Sequence, residues 1–504
     1  MIELVEKRLQ EATPQRIEGT ISTSDKKEFG HYTSNVAFKL AKEMKKSPFE
    51  VAQDLAKNLS SFNEFKKVEA IAPGFINFWI SSEILQDSVK KILKEKKSFG
   101  KSKVKKSKKI NIEFVSANPT GPLTMANGRG GFYGDVLSNV LESVGHKVTR
   151  EYYVNDAGNQ VRLLGESIKA VEGKIEDKEE YYKGDYIKKL KGKTAKQAIA
   201  ILLKEIKKSL KKAGINQDVF FSEDKNLHKK DELNKVLKFL KKKKMIVEKD
   251  GALWLGDNVL VKSDGNPTYF LADLAYHYDK LIKRKFDLAI DIWGADHHGY
   301  ISRMKEGVKA LGINPDRLEI LITQLIRLVS GGKEVRMSKR KGNFVTMDDL
   351  INRVGVDVTR FFFLMHSANT HMDFDLDLAK EKSQKNPVYY TQYAYVRCLN
   401  ILKKGKISNN SKLELLKSDS EIKLMLELVK FPDIISQTAK DYQVHRLTKY
   451  ASELARSLHY FYESEKVVGV EKDLESARLD LVNVTKIVFE NLFKILKISS
   501  PKKM

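Results

Sequence analysis

The stretch INIEFVSANPTGPLTMANGRGGFYGDVLSNVLESVGHKVTREYYV, residues 110–154, holds a strand, a loop, a helix and a second strand in order. INIEFVS (110–116) is strand-like and a Pro/Gly loop follows it. Phe132, Val136, Val140 and Val144 then recur every four residues with Leu137 and Leu141 beside them, a helical period. Gly145 supplies the stop, and KVTREYYV (147–154) returns as a strand. The result is a β-α-β unit whose loop ends at a helix N-terminus, where unpaired N–H groups and the helix dipole favour phosphate.

The chain has 504 residues, 41% apolar and 31% charged, and such a length predicts roughly three or four domains. No uninterrupted apolar run is long enough for a membrane span, and no apolar segment stands behind the opening MIELVEKRLQ. A soluble, cytoplasmic protein with no membrane partner is therefore expected. The lone Cys398 has no partner for an internal disulfide, fits a reducing compartment and reads as a buried, inert thiol. The formal charge of +25 favours a nucleic-acid partner. For a single lysine run such as KFLKKKKM (238–245), the competing reading is a Lys-rich composition spread over solvated faces.

Composition and periodicity divide the chain. Residues 1–84 read as a small α/β unit, with SNVAFKLAKEMKK and PFEVAQDLAKNL helical and VEAIAPGFINFWIS strand-like. Residues 85–109 are a basic helix and linker ending in KKSFGKSKVKKSKK, a charge-dense junction. Residues 110–384 continue the β-α-β pattern, with a Lys-rich interruption at about 170–255. Within it Ile199, Leu202, Leu203, Ile206 and Leu210 share one helical face. ALWLG (252–256), NVLVKS (258–263) and FDLAIDIWG (286–294) predict that the parallel sheet resumes. From 385 to 504 the periodicity is helical and predicts an all-α bundle.

Four segments carry chemistry: the strand-loop-helix above, EYYVNDAGNQ, WGADHHGY (293–300) and EVRMSKRKGNF (334–344). Together with NPVYYTQYAYVR, GHYTSNVAF, PGFINF and the terminal ISSPKKM, they resemble the arginyl-tRNA synthetases, a class I aminoacyl-tRNA synthetase family, in that family's order and over essentially the whole chain. The resemblance implies a Rossmann-type α/β catalytic domain with an insertion, preceded by an α/β domain that touches the tRNA elbow and followed by an anticodon-binding bundle. It implies arginine, ATP and arginine tRNA as partners, Mg²⁺ held with the ATP phosphates, and a monomer. The implied reaction has two steps, attack of the arginine carboxylate on the α-phosphate of ATP and transfer from arginyl-adenylate to a ribose hydroxyl at the tRNA 3′ end. Such chemistry rests on positioning and on donors aimed at developing phosphate charge, and needs no protein nucleophile. His297 and His298 lack zinc spacing, so no protein-held metal is expected.

By the same resemblance, Glu113, Ser116, Asn118, Tyr269 and Asp273 surround the amino acid. Tyr269 and Asp273 are four apart and share a helical face, and a carboxylate suits a planar guanidinium. Without the resemblance, Glu113 reads as a structural carboxylate and Asp273 as a solvated helix charge. Gly294, Asp296 and His297 are expected near the nucleotide, and Arg336, Met337, Ser338 and Lys339 form the KMSKS-like loop, with Arg336 where the family usually has Lys. Lys339 is the expected pyrophosphate contact. Phe75 and Asn77 are expected at the tRNA elbow, and Tyr389, Tyr390 and Tyr393 at the entry to the anticodon bundle; helix core is the competing reading of these tyrosines.

One motif departs from the family. Where it usually carries His-X-Gly-His, this chain has Thr124, Met125, Ala126 and Asn127. Thr124 and Asn127 are expected to offer neutral phosphate donors, and the Ala126 methyl to crowd the adenine edge. An arginine-tRNA ligase slowed at its ATP site is the reading; the alternative is a tRNA-binding protein of the same fold that has lost adenylation.

Overall fold

The computed structural model describes residues 1–13, 20–24, 27–335, 345–405 and 411–504. Five strands form one wholly parallel sheet, in the order Leu318–Thr323, Leu288–Gly294, Lys109–Glu113, Lys147–Val154, Val219–Ser222. Ile110, Ile112, Ala289 and Ile290 are all buried, as expected of strands covered on both faces. The chain builds outward from Lys109–Glu113 to Val219–Ser222 and then crosses to the opposite side. A topological switch therefore opens between Lys109–Glu113 and Leu288–Gly294, and ligands of such sheets bind at the strands' carboxyl ends there.

Helix Met125–Ser143 fills the first crossover. Its Gly134 lies so close to the sheet that a Cβ there would stand 2.4 Å from the Phe114 ring. Only glycine allows that approach.

The Lys-rich interruption differs from the sequence expectation in two respects. Val219–Ser222, in its middle, is an edge strand of the central sheet, a four-residue segment set between the acids Asp218 and Glu223 and too short to announce itself. ALWLG and NVLVKS do not resume the parallel sheet. Strands Ile246–Lys249, Ala252–Leu255 and Asn258–Val261 instead form a separate antiparallel sheet, because connections of only a few residues permit hairpins and not parallel crossovers.

At the N-terminal end, Ile21–Thr23, Tyr32–Ser34, Phe75–Ile80 and Phe65–Ile71 form an antiparallel sheet. Ser47 starts the adjacent helix Pro48–Leu59 with a capping box and Pro at its first turn. At the other end, Pro387–Leu402, Asp419–Val429, Phe431–Asp441, His445–Ser464 and Lys472–Leu496 make the helical bundle. Its core is continuous with that beneath the parallel sheet. Polar contacts reinforce the junction: Lys497 Nζ lies 2.7 Å from Asp135, Asn139 donates to the Ile495 carbonyl at 2.8 Å, and the Tyr133 hydroxyl donates to the Tyr442 carbonyl. Cys398 is buried, and burial pushes its thiol pKa up. No helix among the described residues is long and apolar enough to cross a membrane.

Candidate active site

At the switch point the first strand does not run straight into its loop. Val115 and Ser116 have φ of 73° and 35°, a conformation β-branched valine rarely adopts and one that marks stored strain. The kink lets Ser116 Oγ accept from the Tyr153 N–H at 3.0 Å. Beyond it opens a cavity of about 350 Å³ lined by all five residues expected around the amino acid: Glu113, Ser116, Asn118, Tyr269 and Asp273. Thr268 caps helix Tyr269–Tyr278, which carries the last two.

Four carboxylates line this cavity, and their bonding separates them into two kinds. Asp291 has both oxygens engaged, with Lys280 Nζ at 2.8 Å and His277 Nε2 at 2.7 Å. Against the penalty of burial, those two neighbours hold its pKa down to about 2. Glu223 is likewise occupied, by His228 Nε2 at 3.0 Å and by the Asn155 amide at 3.2 Å when that amide is oriented by its partners. Glu113 and Asp273 each keep an oxygen open. Glu113 Oε2 accepts from Lys280 at 2.7 Å and Asp273 Oδ2 from the Tyr300 hydroxyl at 2.8 Å. Glu113 Oε1 and Asp273 Oδ1 accept no hydrogen bond from the described residues. No cation among the described residues donates to Asp273: desolvation pushes its carboxyl up to about 7, with only partial relief from Tyr300 and His277. A half-buried carboxylate without a bonded cation is an incomplete ion pair.

The helix start beside the cavity corrects one expectation. Thr124 and Asn127 form a capping box: Asn127 Oδ1 accepts both the Thr124 N–H and its hydroxyl at 2.9 Å, and Thr124 Oγ1 accepts the Asn127 N–H at 3.4 Å. The Thr124 hydroxyl is thus not a free phosphate donor, because the nearest strong acceptor is its own cap partner. With Oδ1 engaged by Thr124, Asn127 Nδ2 is left without a hydrogen bond to the described residues. Ala126 is exposed and Met125 buried. Thr346 pairs with Thr124, and the Met347 N–H donates to the Leu123 carbonyl at 2.9 Å, so the segment following the KMSKS-like loop is stitched to this helix start. Arg336, Met337, Ser338 and Lys339 themselves lie outside the described residues.

Gly294 ends its strand where a Cβ would meet the Asp296 carboxylate at 2.6 Å. Asp296 and His297 stand exposed at the strand's carboxyl end, and the His297 ring lies 5.9 Å from Trp293. His297 lines the cavity; Gly294 and Asp296 lie outside its lining. Among the described residues no group of three or more His, Cys, Asp or Glu is placed to hold a metal ion.

The expected tRNA contacts divide. Phe75 is 38% exposed and meets Phe38, also exposed, edge to face at 5.2 Å. Asn77 is 2% exposed, because its strand is flanked on both sides, so its amide is not offered at the surface. Tyr389, Tyr390 and Tyr393 are partly exposed and form one aromatic patch. Tyr389 and Tyr393 stack at 6.3 Å, Tyr390 packs on His459 at 4.8 Å, and Arg397 lies over Tyr393 and Tyr462 at 5.0 and 4.7 Å. Burial and Arg397 push the His459 pKa down to about 4, and its Nδ1 accepts from Arg397 at 2.7 Å.

Sequence reasoning gave no role to Tyr153, Glu223, Tyr276, His277, Asp291, Trp293 or Tyr300, all in the cavity wall. Asp291 had a signal, an acid in the middle of the apolar run Leu288–Gly294. Tyr300 closes the quoted GADHHGY. Glu223 had none, since its lysine-rich surroundings read as solvated surface.

Three family models match the chain in succession. Residues 1–80 match the arginyl tRNA synthetase N terminal domain, 88–184 and 168–360 the catalytic domain of tRNA synthetases class I (R), and 391–504 the DALR anticodon binding domain. An arginine–tRNA ligase of Thermotoga maritima is 42% identical, over 98% of both chains. One of Carboxydothermus hydrogenoformans is also 42% identical, over 95% of this chain and 93% of its own. The solved Thermus thermophilus arginyl-tRNA synthetase superposes with a TM-score of 0.82 over the full length of both chains at 18% identity, a likeness of fold. With relatives this similar along its whole length, the chain belongs to the arginyl-tRNA synthetase family.

Proposed function

We propose that this protein is an arginine–tRNA ligase: it joins arginine to ATP as arginyl-adenylate, releasing pyrophosphate, and passes the arginyl group to a ribose hydroxyl of arginine tRNA, releasing AMP. The observation that carries the reading is the pair of half-open carboxylates. Arginine's guanidinium is a planar cation with in-plane N–H donors, and the cavity offers two carboxylate oxygens that accept nothing from the described residues, Glu113 Oε1 and Asp273 Oδ1. Glu113, buried at its strand end, and Asp273, half-buried on helix Tyr269–Tyr278, together receive the guanidinium. This orientation leaves the substrate carboxylate toward Ser116, Asn118 and the phosphate end of the site.

ATP lies across the strand ends between helix Met125–Ser143 and the Gly294–His297 turn, with Mg²⁺ carried on its phosphates. Asn127 Nδ2 and the N–H groups of the helix's first turn serve the phosphates, Ala126 borders the adenine, and Lys339 of the Arg336, Met337, Ser338, Lys339 motif is the pyrophosphate contact. Phe75 stacks at the tRNA elbow, and the Tyr389–Tyr393 patch receives anticodon bases. The protein acts as a cytoplasmic monomer. The curated relatives bear the name arginine–tRNA ligase, and nothing in the site favours a binding protein without adenylation.

The test is pyrophosphate exchange in the presence of arginine tRNA, with arginine, lysine and citrulline as substrates. Citrulline keeps arginine's shape without its side-chain charge. Exchange with arginine alone is expected; equal exchange with citrulline would remove Asp273 as the guanidinium partner, and no exchange with arginine would remove the activity.

A further inference from the structure

Strand Lys109–Glu113 leaves the parallel ladder abruptly. Glu113 stands beside Glu151 in register, and the Phe114 N–H still reaches the Glu151 carbonyl at 3.2 Å. The next rung of an evenly spaced parallel ladder would run from the Tyr153 N–H to the Phe114 carbonyl. Val115 and Ser116, with φ of 73° and 35°, carry the chain out of the sheet at that point. Side chains take the place of the rung: the Tyr153 N–H donates to Ser116 Oγ at 3.0 Å, and the Phe114 carbonyl accepts from Gln217 Nε2 at 3.2 Å. The Tyr152 hydroxyl adds a third bond, to the Ala117 carbonyl at 2.6 Å. Successive residues of a strand point to opposite faces. Tyr153 lines the cavity, whereas Tyr152 is fully buried on the face that carries helix Met125–Ser143, where Arg150, two residues before it, bonds Asn139 and Glu142. The turn is gripped from both sides.

We propose that Tyr152 is a positioning residue for arginine: its hydroxyl holds the turn at residues 115–117 in its left-handed backbone and so presents Ser116 and Asn118 to the substrate carboxylate; this rests on the reading of the cavity as the amino-acid site. Valine at a φ of 73° is strained, and such backbone persists only where its surroundings over-determine it. Val115 is wedged against the helix, since a Cβ on Gly131 would stand 3.1 Å from Val115 Cγ2. The Ser116 bond fixes one side of the turn and the Tyr152 bond the other. Asn118 precedes Pro119, which confines it to extended backbone, so its direction follows from that of Ala117. Burial pushes the Tyr152 pKa up, so the group stays a hydroxyl and keeps its proton for the Ala117 carbonyl. Tyr152 lies outside the cavity lining and acts through Ala117.

Tyr152→Phe removes the oxygen and keeps the ring stacked on Phe220. In tRNA-dependent pyrophosphate exchange by the full chain, its kcat should fall roughly tenfold or more, the scale for a reacting group held off its place. KM for arginine should stay within about twofold, because the guanidinium partners are untouched. A merely structural tyrosine would lower Tm and leave the kcat of the folded protein alone. Rescue separates the two roles further. Glycine adopts positive φ without strain, so Tyr152→Phe/Val115→Gly should recover most of the lost kcat although it has lost still more packing. Should that double variant fail to fold, Tyr152→Phe/Val115→Asn takes its place, since asparagine also visits the left-handed region, and the same recovery is expected. A Tyr152→Phe protein with the parent's kcat, or a folded double variant no faster than Tyr152→Phe, overturns the proposal. If the unaltered protein exchanges with arginine and not with citrulline, the reading of the cavity stands whatever the variants do; if it exchanges no better with arginine, that reading falls and this inference with it.

Discussion

Tyr300 donates its hydroxyl to Asp273 Oδ2 at 2.8 Å and in doing so orients a carboxylate that has no cation of its own. The arrangement is poor for the empty protein and good for a cationic ligand. Burial holds the Asp273 carboxyl up at about 7, well above its range in the unfolded chain. A carboxyl raised in this way favours the folded state while it is protonated, and that contribution is lost as pH rises through the folded value. From this group alone, the unliganded protein should lose stability as pH rises from about 4 to about 7. Arginine should restore it, so the gain in Tm from added arginine should grow over the same window. A Tm gain that does not change with pH would remove Asp273 from the ligand site.

Asp273→Asn keeps the shape and removes the charge. Arginine affinity should fall by about 10²-fold or more, the scale for losing one partner of a buried, hydrogen-bonded ion pair, while ATP affinity holds. The unliganded variant should be no less stable than the parent near neutral pH, since the charge it loses is one that burial opposes. Tyr300→Phe should act more mildly, with roughly a tenfold rise in KM for arginine from one lost hydrogen bond to a charged group. Equal arginine affinity in Asp273→Asn would return this residue to the role of a wall.

How much of this was legible in the sequence depends on whether the information was local. The β-α-β unit was, because its signal lies in the periodicity of residues 110–154, and the five expected amino-acid contacts do meet in one cavity. The strand Val219–Ser222 was not, since it is a strand only by pairing with Lys147–Val154. That Asp291, Glu113 and Glu151 stand abreast on three strands was also hidden, because register between strands far apart in the chain is a tertiary property. Thr124 shows a third kind of loss. Its hydroxyl was correctly read as a donor, but its acceptor proved to be Asn127 three residues away.

The helical bundle cannot be tested by deleting it. Its core runs on into the core beneath the parallel sheet, and Lys497 reaches Asp135 on the helix that begins at Thr124, so loss of residues 385–504 should unfold the rest. Point changes on the aromatic patch are cleaner. Tyr393→Ala and Arg397→Ala should each raise KM for arginine tRNA by roughly tenfold or more, given about 1–3 kcal/mol for a stacked base. KM for arginine should not change. If both variants keep the parent's tRNA affinity with an unchanged circular dichroism spectrum, the patch does not receive the anticodon.

Asn127 has two roles that a single substitution can separate. Its Oδ1 caps the helix through Thr124, and its Nδ2 donates to none of the described residues. Asn127→Asp keeps the acceptor and puts a negative charge in the first turn, which favours the helix. It also deletes the donor and repels phosphate. Stability should hold or rise, whereas tRNA-dependent pyrophosphate exchange should fall by about 10²-fold, the scale of one transition-state donor. The opposite change, Thr124→His/Ala126→Gly/Asn127→His, restores two ring donors and room at the adenine but removes the capping box. Exchange should rise by about 10²-fold or more and stability should drop by about 1 kcal/mol. A parent already exchanging as fast as the triple variant would show that these four residues work as they stand, with the helix N–H groups and Lys339 carrying the phosphate charge. An Asn127→Asp protein that exchanges at the parent's rate would show that Nδ2 never meets the phosphate.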